Sequence, residues 1–189
     1  IIQEGLERVN KQKAGFVKFE VLESFESFKI MERFVSAPEA SVESFVNNGE
    51  ILFESITQYY VKKHVNIVPG ILAPEQRQAL LDLNRRIIKA LKIKWGMTHM
   101  EAYLSPDGML FGEIALRPPG GYIMELISKA YGFSSRQALV HIELDLPFEF
   151  PDASRACAAA YVVHPVPGQS PESITGMRFR NYPLSIRPG

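Results

Sequence analysis

Alternating apolar and polar residues predict two β-hairpins in the middle of the chain. Segments 40–46 and 51–59 flank Asn47-Asn48-Gly49-Glu50, and Asn-Gly between two β-rich runs is a strong hairpin signal. Segments 98–104 and 109–114 flank Ser105-Pro106-Asp107-Gly108, whose residues favour a tight turn. The pattern therefore predicts four paired strands, and a further strand is predicted at 28–35.

Apolar residues at a helical period predict a long helix that begins at Pro74. One face of this helix carries Leu80, Leu83, Ile87 and Leu91, and proline is well tolerated in the first turn of a helix.

The remaining helices, strands and loops are predicted from the positions of proline and glycine and from the spacing of apolar residues. We predict helices at 5–13 and 16–27, a loop at 61–72, helices at 122–131 and from 134 or 135 to 143, and a strand at 158–164. Trp95 and the phenylalanines between residues 16 and 53 are expected in the core. Hairpins followed by helices indicate an α+β fold, an antiparallel sheet with helices.

Composition narrows the function classes. Hydrophobic residues make up 46% and charged residues 22%, and the 21 basic residues balance the 21 acidic ones. Nucleic-acid and membrane-surface proteins usually carry an excess of positive charge, so we expect neither partner. The apolar runs are shorter than the roughly 20 residues of a membrane helix. A single cysteine, Cys157, fits a reducing compartment, and we expect a cytoplasmic protein.

Two glutamates on the second hairpin are the main candidates for chemistry. Glu101 and Glu113 are placed on opposite arms of the turn, and opposed residues of an antiparallel pair lie about 5 Å apart. Two carboxylates this close repel each other unless a cation lies between them. Mg²⁺ is the natural candidate, because it is often held by one or two carboxylates together with substrate phosphates.

Groups suited to anions follow the second glutamate. Arg117 has the planar fork that recognises phosphate or carboxylate, and Gly120-Gly121 comes directly before a predicted helix, whose first N–H groups attract anions. From the residues alone, a solvated pair of glutamates, a surface arginine and a simple turn remain open as the alternative.

These features in this order resemble the ATP-grasp superfamily from Lys29 to about Asp145. Glu32, Arg33, Phe34 and Val35 resemble the hinge strand whose backbone reads adenine. Pro38 to Glu43 resembles the strand that follows the hinge, which would put Glu39 near the ribose hydroxyls. The branch that the chain resembles groups biotin carboxylase, carbamoyl-phosphate synthase and L-amino-acid ligases.

The resemblance also implies roles in the second hairpin. His99-Met100-Glu101 resembles the segment that supplies the first metal carboxylate, and His99 is expected to support a ligand rather than to be one. Residues 113–117 resemble the segment that supplies the second carboxylate, Glu113, and a phosphate- or substrate-facing arginine, Arg117. Ala115 replaces a metal-binding asparagine of many members.

The remaining implied contacts concern phosphate and substrate. Lys62, in the loop after the first hairpin, would point its positively charged side chain at phosphate, and Gly120-Gly121 would hold a carboxylate. The implied reaction is an ATP-dependent ligation of a small carboxylate to an amine through an acyl phosphate, with ATP and Mg²⁺ as cofactors. A non-catalytic nucleotide-binding module and an interaction domain with two surface glutamates are the alternatives.

The resemblance also divides the chain. Residues 1–146 would form a partial ATP-grasp domain, and residues 147–189 a β-rich C-terminal cap or extension. The chain begins at Ile1, and no glycine-rich phosphate lid precedes the hinge strand, so we expect that the N-terminal portion of the grasp is missing. Substrate identity stays open, as does a homodimer.

Overall fold

The computed structural model describes residues 35–62, 64–106 and 108–162. The predicted helices at 5–13 and 16–27, most of the predicted strand at 28–35, and Glu32, Arg33 and Phe34 lie outside the described residues. They therefore stay predictions.

The described strands form a six-stranded sheet in the order β5-β4-β1-β2-β3-β6, and every neighbouring pair is antiparallel. The strands are β1 (Glu39–Asn47), β2 (Glu50–Val61), β3 (Val65–Val68), β4 (Gly96–Ser105), β5 (Gly108–Ala115) and β6 (Ala158–Tyr161). Both predicted hairpins, β1–β2 and β4–β5, are confirmed. The antiparallel sheet with helices that the sequence predicts is therefore the fold of the described residues.

Three helices occur in the described part of the chain: α1 (Pro74–Ala90), α2 (Ile123–Tyr131) and α3 (Ser135–Glu143). Pro74 occupies the first turn of α1 as predicted. Helix α2 ends at Gly132, whose φ of +76° is a left-handed conformation that glycine adopts without strain. Helix α3 begins after Ser134, whose hydroxyl accepts a hydrogen bond from the backbone N–H of Gln137.

The prediction that residues 61–72 form a loop is wrong in part, because β3 lies within them. β3 pairs with β2 on one side and with β6 on the other. Its backbone hydrogen-bonding groups therefore have partners on both edges. A segment this short carries too little alternation to be recognised in the sequence. The strand predicted at 158–164 ends earlier than expected, at Tyr161.

Each face of the sheet has its own hydrophobic core. Helix α1 buries Leu80 and Leu83 against one face, where Val42, Ile56 and Met100 lie. The predicted Leu91 is 50% exposed at the end of α1, and Ile88 is buried in its place.

On the opposite face, α2 and α3 pack against Phe45, Phe53 and Met97. Phe133, Phe148 and Phe150 join Phe45 and Phe53 in what we call the aromatic cluster. The rings of Phe53 and Phe150 stack with centroids 5.3 Å apart. Trp95 was expected in the core but is 43% exposed. The boundary proposed at residue 146 stays a prediction. In the part of the chain that the structure describes, no helix combines the length and apolar character needed to cross a membrane.

Candidate functional site

Polar side chains share the sheet face of the aromatic cluster, further along the same strands. We call them the polar face: Ser41, Glu43, Thr57, Tyr59, His99, Glu101 and Glu113. They come together because the strand pairing aligns Glu43 with His99 and Ser41 with Glu101. Side chains alternate between the two faces of a strand, so residues at positions 41, 43 and 45 of β1 point the same way.

Glu43 is the most enclosed charged residue of the polar face, with 0% exposure. Its Oε1 accepts a hydrogen bond from the Ser41 hydroxyl at 2.6 Å, and its Oε2 accepts one from the Thr57 hydroxyl at 2.6 Å. Nδ1 of His99 lies 2.8 Å from Oε1. A buried carboxylate is tolerated only when its oxygens have partners, and these three groups supply them.

His99 joins two carboxylates. Its Nδ1 faces Glu43, and its Nε2 lies 3.2 Å from Oε1 of Glu101. A carboxylate oxygen can only accept, so both ring nitrogens donate, which is possible only for the imidazolium form. Burial lowers the pKa of His99, but the hydrogen bonds to Glu101 and Glu43 raise it more, to about 9. The side chain is therefore a buried cation at neutral pH.

Glu101 is held through one oxygen. Its Oε1 accepts hydrogen bonds from His99 and from the Tyr59 hydroxyl, the latter at 2.7 Å. The hydrogen bond from His99 lowers the pKa of Glu101; burial opposes this, while Tyr59 and the charge of Arg117 reinforce it. Burial raises the pKa of the Tyr59 phenol above its usual range, so Tyr59 remains a donor. Glu101 is therefore an ionised carboxylate.

Glu113 lies directly opposite Glu101 in the pairing of β4 with β5, as the sequence predicts. A bulge makes this possible, because Glu101 pairs with Glu113 while the next residue, Ala102, pairs with Phe111. The extra residue is Gly112, and a Cβ there would lie 3.0 Å from the carbonyl oxygen of Glu101. Glu113 is exposed, whereas Glu101 is partly buried.

Two more predicted residues contact each other. Nζ of Lys62 lies 2.5 Å from Oε1 of Glu39, and this hydrogen bond raises the pKa of Lys62. Glu39 begins β1 and Lys62 follows β2, so both lie at the end of the sheet that carries Ser41 and Glu101. Val35 precedes β1 and is partly buried.

Arg117 and the two glycines follow β5. Nη1 of Arg117 donates to the carbonyl oxygen of Pro118 at 2.9 Å, and its charge acts on Glu101 as described above. Gly120 and Gly121 are exposed, with open space where a side chain would stand, and Gly121 has φ of +61°. They precede Tyr122, the N-cap residue of α2, whose side chain makes no capping hydrogen bond.

Comparisons with known proteins identify the fold. No protein-family model matches the chain. The chain is 30% identical over 125 residues to an L-arginine-specific L-amino acid ligase of Bacillus subtilis, a match that covers 62% of this chain and 30% of that protein. The structure is similar to an L-amino acid ligase from Bacillus licheniformis with a TM-score of 0.61 and 24% identity, over 70% of this chain and 35% of that one. The chain carries an ATP-grasp fold.

A second solved structure extends the similarity. It is a carboxyaminoimidazole ribonucleotide synthase from Aspergillus clavatus complexed with ATP, with a TM-score of 0.57 and 18% identity over 67% of this chain and 34% of that one. The chain thus spans about a third of the length of the relatives it matches. These likenesses show the ATP-grasp fold.

Sequence reasoning missed several residues of the polar face. Glu43, Thr57 and Tyr59 were not singled out, although Ser41 and Glu43 are polar residues at alternate positions of a strand that otherwise reads as buried. A charged residue on the inward side of a predicted hairpin was the available signal. The bulge at Gly112 has no comparable signal, because register is decided by pairing.

Proposed function

We propose that the protein is an ATP-dependent ligase that joins a small carboxylate to an amine and binds Mg·ATP at the polar face. The pair formed by Glu101 and Glu113 across the β4–β5 hairpin is the observation that carries this proposal. The similarity to two L-amino acid ligases supports the same reaction class. We expect the protein to be cytoplasmic, and a homodimer is an assembly worth testing.

The side chains of the pair suit Mg²⁺. Among the described residues, nothing donates a hydrogen bond to Oε2 of Glu101 or to the carboxylate of Glu113. Hard oxygen ligands of this kind are those that Mg²⁺ prefers. The described part of the chain contains no cluster of three or more metal-ligating side chains, so phosphate oxygens and water would complete the shell. When bound, Mg²⁺ neutralises phosphate charge during phosphoryl transfer.

The other side chains would bind and orient the reactants. The backbone of residues 32–35 would read the adenine edge, and Glu39 would accept hydrogen bonds from the ribose. Lys62, whose Nζ contacts Glu39, would turn toward the phosphates. The uncapped start of α2 after Gly120-Gly121 would hold the substrate carboxylate, since helix N-termini favour anions.

Arg117 would act on the transferring group. In the first step, a substrate carboxylate oxygen bonds to the γ-phosphorus of ATP and ADP leaves, which gives an acyl phosphate. In the second step, an amine attacks the acyl carbon, phosphate departs, and the amine loses a proton. Positively charged groups placed where charge develops are the main source of rate enhancement in such transfers, and the guanidinium of Arg117 would supply such a charge.

The proposal is tested by titrating Mg·ATP into the full-length protein by calorimetry. The double variant Glu101→Gln/Glu113→Gln keeps the shape of both side chains and removes both charges, so we expect Mg·ATP binding to be lost. Glu50→Gln is the matched control, because Glu50 is an exposed glutamate at the start of β2, and wild-type affinity is expected. Equal binding by wild-type and double variant would refute the site.

A non-catalytic nucleotide-binding module is the second candidate, and Ala115 favours it. This residue lies opposite His99 in the pairing of β4 with β5, and its side chain has no oxygen to offer a metal. The two candidates differ in turnover: the ligase releases ADP and phosphate when carboxylic acid and amine substrates are supplied together, and the module binds Mg·ATP without release.

A further inference from the structure

Glu43 is a buried charge that the proposed reaction does not use. It lies in the middle of β1, fully enclosed, with three hydrogen-bond partners from three strands. Removing a carboxylate from water costs several kcal/mol, and its partners often do no more than offset that cost. Stability alone therefore gives a weak reason for a charge at this position.

The neighbouring positions show that packing does not require a charge there. Two residues further along β1, Phe45 pairs with Met97 of β4 and Phe53 of β2 and fills the same sheet face with apolar groups. The same three strands could continue that apolar packing at Glu43. They instead place an anion beside His99, and His99 contacts Glu101.

We propose that Glu43 is a positioning residue for the metal–nucleotide site, acting through His99 on Glu101. Glu43 fixes the imidazolium through Nδ1, and Nε2 together with the Tyr59 hydroxyl holds Oε1 of Glu101. The carboxylate then has one oxygen anchored and the other available for a ligand. This inference rests on the proposed function and adds a residue of β1 to a site predicted on β4 and β5.

Strand register sets two contacts of this network, Glu43 with His99 and His99 with Glu101. Glu43 pairs with His99, and His99 and Glu101 lie two residues apart on β4, so both side chains of β4 point to the same face. Ser41 and Thr57 hold Glu43 from both oxygens, which leaves it little rotational freedom. A carboxylate held in this way can orient the histidine without touching the ligand itself.

The test measures the Mg²⁺ concentration that half-saturates ATP binding in the full-length protein, at a fixed ATP concentration. Loss of a partner that orients a metal ligand costs about 10- to 100-fold in metal affinity. We therefore expect Glu43→Gln to raise the half-saturating Mg²⁺ concentration by that factor. ATP affinity at saturating Mg²⁺ should stay near that of the wild type. An unchanged Mg²⁺ requirement in a folded Glu43→Gln variant would overturn the inference.

Thr98→Val is the matched control. Thr98 is fully buried on β4 next to His99, and its hydroxyl has no partner among the described residues. The substitution therefore perturbs the same strand without touching the links from Glu43 to Glu101. Its Mg²⁺ requirement should equal that of the wild type, and an increase matching that of Glu43→Gln would assign the effect to general disturbance of β4.

Tyr59→Phe keeps the inference testable if Glu43→Gln does not fold. This variant removes only the hydroxyl that holds Oε1 of Glu101, and we expect an increase near the lower end of the same range. No change would overturn the idea that Glu101 must be anchored. If the wild-type protein binds no Mg·ATP, the proposed function itself fails. If the wild type binds Mg·ATP and Glu43→Gln has the same Mg²⁺ requirement, only the role of Glu43 fails.

Discussion

Strands β1, β2 and β4 carry an aromatic end and a polar end on the same sheet face. At the aromatic end, α2 and α3 cover Phe45 and Phe53, and the contacts are apolar. At the polar end, the partners of Glu43 and Glu101 come from the strands themselves. β1 pairs antiparallel with β2 and β4 at both ends, so the difference lies in the side chains. A sheet can thus combine a core that stabilises it with an anchored array of charges.

The aromatic end is expected to carry most of the stability. Phe45 is fully buried, with ring centroids 6.0 Å from Phe53 and 5.2 Å from Phe150. Phe45→Ala leaves a cavity, so the free energy of unfolding should fall by about 3–5 kcal/mol. Urea unfolding measures this. Leu52→Ala, at a residue of β2 that is 39% exposed, is the control and should cost well under about 1 kcal/mol. Similar losses for both would contradict the comparison.

The polar end should make stability depend on pH through His99. Its pKa in the folded protein, about 9, lies above the ordinary value of 6.5. A raised pKa contributes stability that is fully present below pH 6.5 and is lost as the pH rises toward 9. Wild-type protein should therefore lose more unfolding free energy between pH 6.5 and 9 than the His99→Gln variant. Urea unfolding at several pH values measures this. An equal loss of unfolding free energy in the wild type and the variant would show that His99 is not a buried cation.

The smallest effect is expected at the bulge that aligns the two glutamates. A Cβ in Gly112→Ala would press on the carbonyl oxygen of Glu101, and the adjustment should cost roughly 1 kcal/mol of unfolding free energy. Because the bulge decides which residue faces Glu101, the half-saturating Mg²⁺ concentration should also rise. Gly120→Ala, where the added Cβ meets open space, is the control for stability. Unchanged Mg²⁺ dependence in Gly112→Ala would show that the register tolerates the side chain.

Much of the fold was predictable because its signals are local. The hairpin turns at Asn48-Gly49 and Pro106 to Gly108 fix which strands pair next to each other, and Pro74 marks the start of α1. Glu101 and Glu113 could be placed on facing strands because a short turn joins them, whereas their direct opposition depends on the bulge at Gly112. β3 was missed because its four residues depend on backbone partners on both sides. Leu91 continues the periodic face of α1 but is exposed, because periodicity does not show where a helix leaves the sheet.

The hairpins, the helix starts and the position of one glutamate on each arm of the second hairpin follow from the sequence alone. The position of β1 beside β4, in contrast, is visible in the folded protein alone, and it brings Glu43 to His99 across 56 positions of sequence. Turn chemistry acts between residues that are close along the chain, whereas the pairing of distant strands depends on how all the apolar surfaces are buried together. The candidate metal carboxylates were therefore visible in the sequence, and the network that anchors one of them was not.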